Sequence, residues 1–121
     1  MWKYQISTGI LTAPDGEIEG HGYSGAPQYR NDTSAVAIHN EGPLPPGLYK
    51  IGKAFNHPTK GPLCMELIPN PLNNMFGRSG LLIHGDSIKH PGTASEGCII
   101  QGRSARLAIS LSDDDDLEVV A

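Results

Sequence analysis

Cysteine is scarce in this chain. Its 121 residues hold two, Cys64 and Cys98, too few for a disulfide framework. One bridge between them stays open, at the expense of a thiol that chemistry can use. Aromatic residues are few as well. No stretch approaches the roughly 20 consecutive apolar residues of a membrane-spanning helix. The opening segment, Met1 to Ile6, lacks the apolar run of a secretory signal. The expectation is a protein made in the cytoplasm, or exported without a cleavable signal. An excess of basic residues is also missing. Nine Lys and Arg against 13 Asp and Glu give a formal charge of −4, which argues against nucleic acid as the main partner. Metal-ligand spacing is absent too. His21, His39 and His57 have no partners at zinc spacing, and Asp113–Asp116 lacks the glycine and terminal glutamate of a calcium loop. No metal and no cofactor is expected. The length fits one domain, residues 1–121, without linker or repeat, and a monomer is expected.

What the chain has in quantity is glycine and proline, 15 and 10 residues spread along its length. Turn formers at that density imply short strands joined by turns, hence a mainly β fold. Residues 2–6 and 10–13 read as strands around the turn Ser7-Thr8-Gly9. Pro14-Asp15-Gly16 turns the chain into a third strand over 17–23. Residues 24–47 read as a long surface loop, with at most a short strand near Ala35–Ile38; a loop of that length is commonly functional. Residues 48–55 and 63–68 alternate and predict strands. Residues 81–84, Leu-Leu-Ile-His, predict a strand buried on both faces. Residues 103–111 predict the one substantial helix, with its apolar positions at 107, 108 and 111. Leu117–Val120 predicts a last strand.

The informative segment is Ile83-His84-Gly85-Asp86 followed by Ala94-Ser95-Glu96-Gly97-Cys98-Ile99. A histidine ends an apolar strand, and a cysteine follows after a turn-rich connection through Pro91 and Gly92. That connection lets the chain double back and bring the two together. Cys98 is expected to open a helix or tight turn. A thiol with a pKa near 8.5 is mostly protonated at neutrality; an imidazolium or a helix N-terminus beside it lowers that value and yields thiolate. The thiolate attacks an amide carbonyl, and histidine returns a proton to the leaving amine. Backbone N–H groups at Gly97 and Cys98 are candidates for holding the oxyanion. The bland alternatives are a buried small apolar Cys98 and a His84 satisfied by backbone.

At these residues the sequence resembles the YkuD-type L,D-transpeptidases. Leu82-Ile83-His84-Gly85 matches their histidine strand, and Ser95-Glu96-Gly97-Cys98 matches their Ser/Thr-His-Gly-Cys element, with Glu96 in place of histidine. Gly42-Pro43-Leu44-Pro45-Pro46-Gly47-Leu48-Tyr49-Lys50-Ile51 is similar to the Pro-x-Gly-x-Tyr/Phe-x-Ile element of that family. Gly77-Arg78-Ser79-Gly80, Ile-His-Gly-Asp and Ala-Ser-Glu-Gly-Cys-Ile together resemble a compact branch, the L,D-transpeptidase-related effectors of type VI secretion systems.

The resemblance implies a mixed β-sheet or sandwich with one short helix after the catalytic cysteine. It implies attack on tetrapeptide stems of peptidoglycan between meso-diaminopimelate and D-alanine. The thioacyl-enzyme is then resolved by water or by a D-amino acid. It further implies delivery to the periplasm of a target bacterium, type VI secretion components and an immunity protein as partners, and an antibacterial role. Cys98 and His84 become the expected catalytic pair, with Ser95 and Gly97 shaping the site. Arg78, Gly85, Asp86, Glu96 and Tyr23 are the substrate-binding candidates. For Arg78 a carboxylate fork and a structural pairing stand level; Asp86 is placed to orient His84, with a cap on the Gly85–Ser87 turn as the favoured alternative. Tyr23, Ser24 and Tyr29 are candidates for one cleft wall, His90 for the lining, and Cys64 reads as structural. Competing functions are a thiol amidase or endopeptidase cutting elsewhere in the stem, and a catalytically silent wall-binding module.

Overall fold

A computed structural model describes all residues, Met1–Ala121. The fold is mainly β with one α-helix, as expected. The strands are β1 (Trp2–Gln5), β2 (Ile10–Thr12), β3 (Ile18–His21), β4 (Tyr23–Ser24), β5 (Gly47–Ile51), β6 (Phe55–His57), β7 (Gly61–Pro69), β8 (Leu82–His84), β9 (Ile99–Ile100) and β10 (Asp116–Val120). The helix α1 spans Arg103–Leu111. The sheet runs β3-β2-β1-β10-β5-β7-β8-β9-β4, with β6 folded onto the start of β7. Its two end strands, β3 and β4, are one continuous piece of chain interrupted only at Gly22. The sheet therefore nearly closes on itself, which leaves little free edge.

The N-terminal meander forms as predicted, β1 pairing β2 and β2 pairing β3, all antiparallel. Alternation in β1 explains why: Trp2 and Tyr4 are buried while Lys3 faces solvent. The last strand, β10, inserts between β1 and β5, parallel to the first and antiparallel to the second. Trp2, Tyr4, Leu11, Tyr49, Ile51, Met65, Leu67, Ile83, Ile99, Leu117 and Val119 form the core, closed by Ala105 and Ile109 of α1.

Four expectations need correction. First, the strand predicted over 48–55 breaks at Gly52, and its end becomes β6, the short arm of a hairpin with β7. Second, residues 24–47 are not a surface loop throughout. Two 3₁₀ turns, Pro27–Tyr29 and Thr33–Ala35, replace the suggested strand, and Gly42–Pro45 are buried. Third, α1 buries Ala105, Arg106 and Ile109, while Leu107 and Leu111 are exposed. Nine residues carry two i, i+1, i+4 stripes, 105/106/109 and 107/108/111, and α1 packs on β3 and β7 with the first of them inward. Fourth, of the helix or tight turn expected at Cys98 there is no helix: residues 96–98 form a bend that leads into β9, and α1 begins five residues after Cys98. No helix N-terminus faces the thiol.

Candidate active site

The register of three strands builds the site. β8 and β9 run parallel with Ile83 opposite Ile99 and His84 opposite Ile100. One step back along the same register, Leu82 lies opposite Cys98. Residues opposite one another in neighbouring strands point to the same face, and successive residues alternate. Ile83 and Ile99 point into the core. His84 and Cys98 therefore share the other face, on adjacent strands, offset by two residues. Strand spacing and rise put their Cα atoms about 8 Å apart. The antiparallel β7–β8 register, Met65 opposite Ile83, sets Cys64 opposite His84 on that same face. Two strand spacings and a two-residue offset separate Cys64 from Cys98, beyond the roughly 7 Å limit for a disulfide; both thiols are free.

His84 is almost wholly buried. Its Nδ1 lies 2.8 Å from the Gly85 carbonyl oxygen. A carbonyl only accepts, so Nδ1 carries the proton and Nε2 is the acceptor nitrogen of the neutral ring. That Nε2 is buried without a partner. Burial holds the imidazole pKa below its ordinary value, with Lys60, Arg106 and His57 adding to the effect and the Gly85 carbonyl opposing it. The ring is thus a neutral base with its acceptor nitrogen unoccupied.

Cys98 is 9% exposed. The Leu82 N–H donates to its Sγ at 3.3 Å. Burial pushes the thiol pKa up; the Leu82 N–H and Lys60 oppose this, and Glu96 and Cys64 add to it. The resting group is a thiol, not the thiolate expected from an imidazolium or helix dipole. Alkylation by iodoacetamide tests this. Because the thiolate is the reactive form, the Cys98 rate should keep climbing through pH 9 without levelling. A plateau near neutrality, read by mass at the Cys98 peptide, would contradict it.

The segment before Cys98 is fixed from behind. Ser95 Oγ donates to the Cys98 carbonyl at 2.7 Å and accepts from the N–H groups of Gly25 at 2.9 Å and Gly97 at 3.1 Å. Gly97 N–H is therefore occupied, a correction to its candidacy as an oxyanion donor; Cys98 N–H is drawn into none of these bonds. Ser24 Oγ donates to the Gly97 carbonyl at 2.9 Å and accepts from Leu44 N–H at 3.1 Å, so Ser24 stands behind the site and not on a cleft wall. Gly97 has φ +134°, and a Cβ there would lie 2.2 Å from an Arg78 guanidinium nitrogen; no larger residue fits.

Arg78 donates to the carbonyls of Val36, Pro43, Gly42 and Glu96 at 2.6–3.2 Å. Both terminal nitrogens are spent on backbone, so Arg78 clamps residues 36–43 to the nucleophile segment; a carboxylate would have to compete with four carbonyls. Arg78→Met should cost at least about 3 kcal/mol, because several buried carbonyls lose a charged donor at once. Urea denaturation checks this; a loss under about 1 kcal/mol would mean the clamp is dispensable.

Asp86 accepts from Tyr23 Oη at 2.6 Å and from the N–H groups of Ser87 and Gly92 at 2.8 and 3.1 Å. It caps the 85–92 turn and makes no bond to His84. Tyr23 Oη also accepts from Ala94 N–H at 3.0 Å. Buried behind this loop, Tyr23 lines neither of the two cavities at the site.

Those cavities lie side by side. One, of about 290 Å³, is lined by Cys98, Leu82, Arg78, His39, His57, Lys60 and Glu96 among others. The second, of about 690 Å³, is lined by His84, Gly85, Asp86, His90, Arg106, Lys60 and Glu96 among others. His57 and Lys60 come from the β6–β7 hairpin tip, which the sequence reading did not bring to the site. The turn signal Pro58-Thr59-Lys60-Gly61 was available there; what it could not give is the fold of that hairpin back over β8. His57 Nδ1 accepts from the N–H groups of Thr59 and Lys60 at 3.1 and 3.0 Å, fixing the tip.

The model of the Tlde1 domain family matches residues 19–114. The chain belongs to this family. The Tlde1 family comprises type VI secretion effectors related to the L,D-transpeptidases. The matched span holds His84, Cys98 and every loop of the two cavities. It leaves out β1, β2 and β10, the strands at the far side of the sheet. No curated protein matches the chain.

Proposed function

We propose that this Tlde1-family chain is a cysteine enzyme of peptidoglycan tetrapeptide stems, releasing D-alanine from diaminopimelate and exchanging it for another D-amino acid when one is present. The observation that carries the reading is the pair on one sheet face: a neutral imidazole whose unprotonated Nε2 has no partner, and a thiol on the neighbouring strand at the wall of a cavity.

In this reaction His84 Nε2 takes the thiol proton as Cys98 Sγ bonds to the diaminopimelate carbonyl carbon. Neutral thiol with neutral base suits the directions of both pKa shifts. The carbonyl oxygen becomes an oxyanion, for which Cys98 N–H is the candidate donor. The C–N bond then breaks, and the proton on Nε2 passes to the leaving D-alanine amine. A thioester remains. Water or the amine of a D-amino acid attacks it, again giving a proton to Nε2, and the sulfur departs and regains that proton. Carboxypeptidase and exchange activities differ only in the second nucleophile.

The family supports the wider reading: delivery by a type VI system into the periplasm of a target bacterium, and an immunity protein that protects the producer. Residues 1–121 act as one catalytic domain in this account. The test is digestion of purified tetrapeptide muropeptides with mass detection. The expected product is the tripeptide stem with free D-alanine, and a mass shift to the exchanged residue when D-methionine is added. A glycopeptide split elsewhere in the stem would replace this reading with an amidase or endopeptidase; no turnover would leave a binding module.

A further inference from the structure

Two residues, Lys60 and Glu96, line both cavities, the one at Cys98 and the one at His84. Both are exposed. Neither is in an ion pair: the three salt bridges involve only the N-terminus, Lys50 and aspartates 114–116. The other charged groups nearby are committed. Arg78 serves four carbonyls and Arg106 serves those of Gln101, Pro62 and Leu63. The Asp86 carboxylate holds its own turn. Lys89 reaches only the His84 cavity. What is left on the ridge between nucleophile and base is one free ammonium and one free carboxylate that do not join each other.

We infer that Lys60 and Glu96 form a subsite for an amino-acid zwitterion, Lys60 receiving its carboxylate and Glu96 its ammonium group. The inference rests on the proposed reaction, in which two participants carry that group: the side-chain end of diaminopimelate in the donor stem, and the free D-amino acid that enters during exchange. In solvent either charge alone contributes little. A ligand lying over the ridge excludes water and makes both bonds charge-assisted. Glu96 thus has a use at the position where related enzymes carry histidine.

The test uses the full chain and three muropeptides: a tetrapeptide with free diaminopimelate, one with its side-chain carboxylate amidated, and one with lysine in its place, which keeps only the ammonium. Lys60→Gln should lower kcat/KM on the free form by between about ten- and a hundredfold, mostly through KM, and change the amidated and lysine forms by less than about threefold. Glu96→Gln should lower all three alike. Lys60→Arg should retain the preference for the free form. Loss already seen in hydrolysis places the stem side chain in the subsite; loss confined to exchange with D-methionine places the acceptor there. Equal loss of hydrolysis on free and amidated substrates with Lys60→Gln, or no loss of either hydrolysis or exchange with either variant, overturns the inference and leaves the reaction standing. If wild type turns over none of the three, the reaction fails. Calorimetric binding of the free form that still weakens on Lys60→Gln would then keep the subsite.

Discussion

Cys98→Ala is expected to abolish D-alanine release, by on the order of a thousandfold or more, because no other group offers a nucleophile to the same carbonyl. Cys64 is the only other thiol. It shares the sheet face but sits on the far side of His84, with its Sγ donating to the Gly61 carbonyl at 3.3 Å, and it lines neither cavity. The fold should survive. Alanine removes one sulfur and the acceptor of the Leu82 N–H, at about 1 kcal/mol. Cys98→Ser restores an acceptor there without restoring a comparable nucleophile, so it should recover stability and not turnover. The measurement is tripeptide formation by mass, beside urea denaturation of each variant. Wild-type rates in Cys98→Ala would end the thioester mechanism.

His84→Asn should lower turnover by about a hundred- to ten-thousandfold, the range for loss of a general base and acid. Asparagine can still donate to the Gly85 carbonyl, so the loss would report the missing Nε2 and not a collapsed loop. The same variant has a stability signature. The folded pKa of His84 is held below its ordinary value, about 6.5. Between those two values the unfolded chain binds more protons than the folded one, so stability rises with pH there. His84 neutrality is therefore fully favourable above about pH 6.5 and is lost as pH falls toward the folded pKa. Urea midpoints from pH 8 down to 5 should drop less steeply in His84→Asn than in wild type. Parallel curves would mean that His84 is not held neutral by the fold, and a variant with full turnover would remove it from the reaction.

The two predictions rest on different parts of the chain's legibility. His84 and Cys98 stood out because each type has few members here and each sits in a short, distinctive frame: an apolar strand ending in His-Gly, and Ser-x-Gly-Cys. Their protonation states did not stand out. A sequence favours the thiolate argument, since imidazole and thiol side by side suggest an ion pair. Burial of both groups, and the absence of a helix start at Cys98, reverse it. Arg78 shows the same limit. Its place before the histidine strand suggested a substrate carboxylate as readily as structure, and only the folding of residues 36–43 beneath it assigns four carbonyls to its guanidinium.

Local patterns alone determined the β-rich class, the N-terminal meander, the 103–111 helix and the two reactive side chains. Turn residues, alternation and a nine-residue helical window are properties of near neighbours, and near neighbours suffice to set them. Tertiary structure decided which stripe of α1 faces the sheet, where β10 inserts, and which residues gather around the thiol. Lys60, 38 positions before Cys98, joins Glu96 on the ridge between the cavities only because β6 folds back on β7 and β7 pairs with β8. Such contacts depend on strand order and register. Those are settled by burial of the whole core at once, and no short segment carries that information.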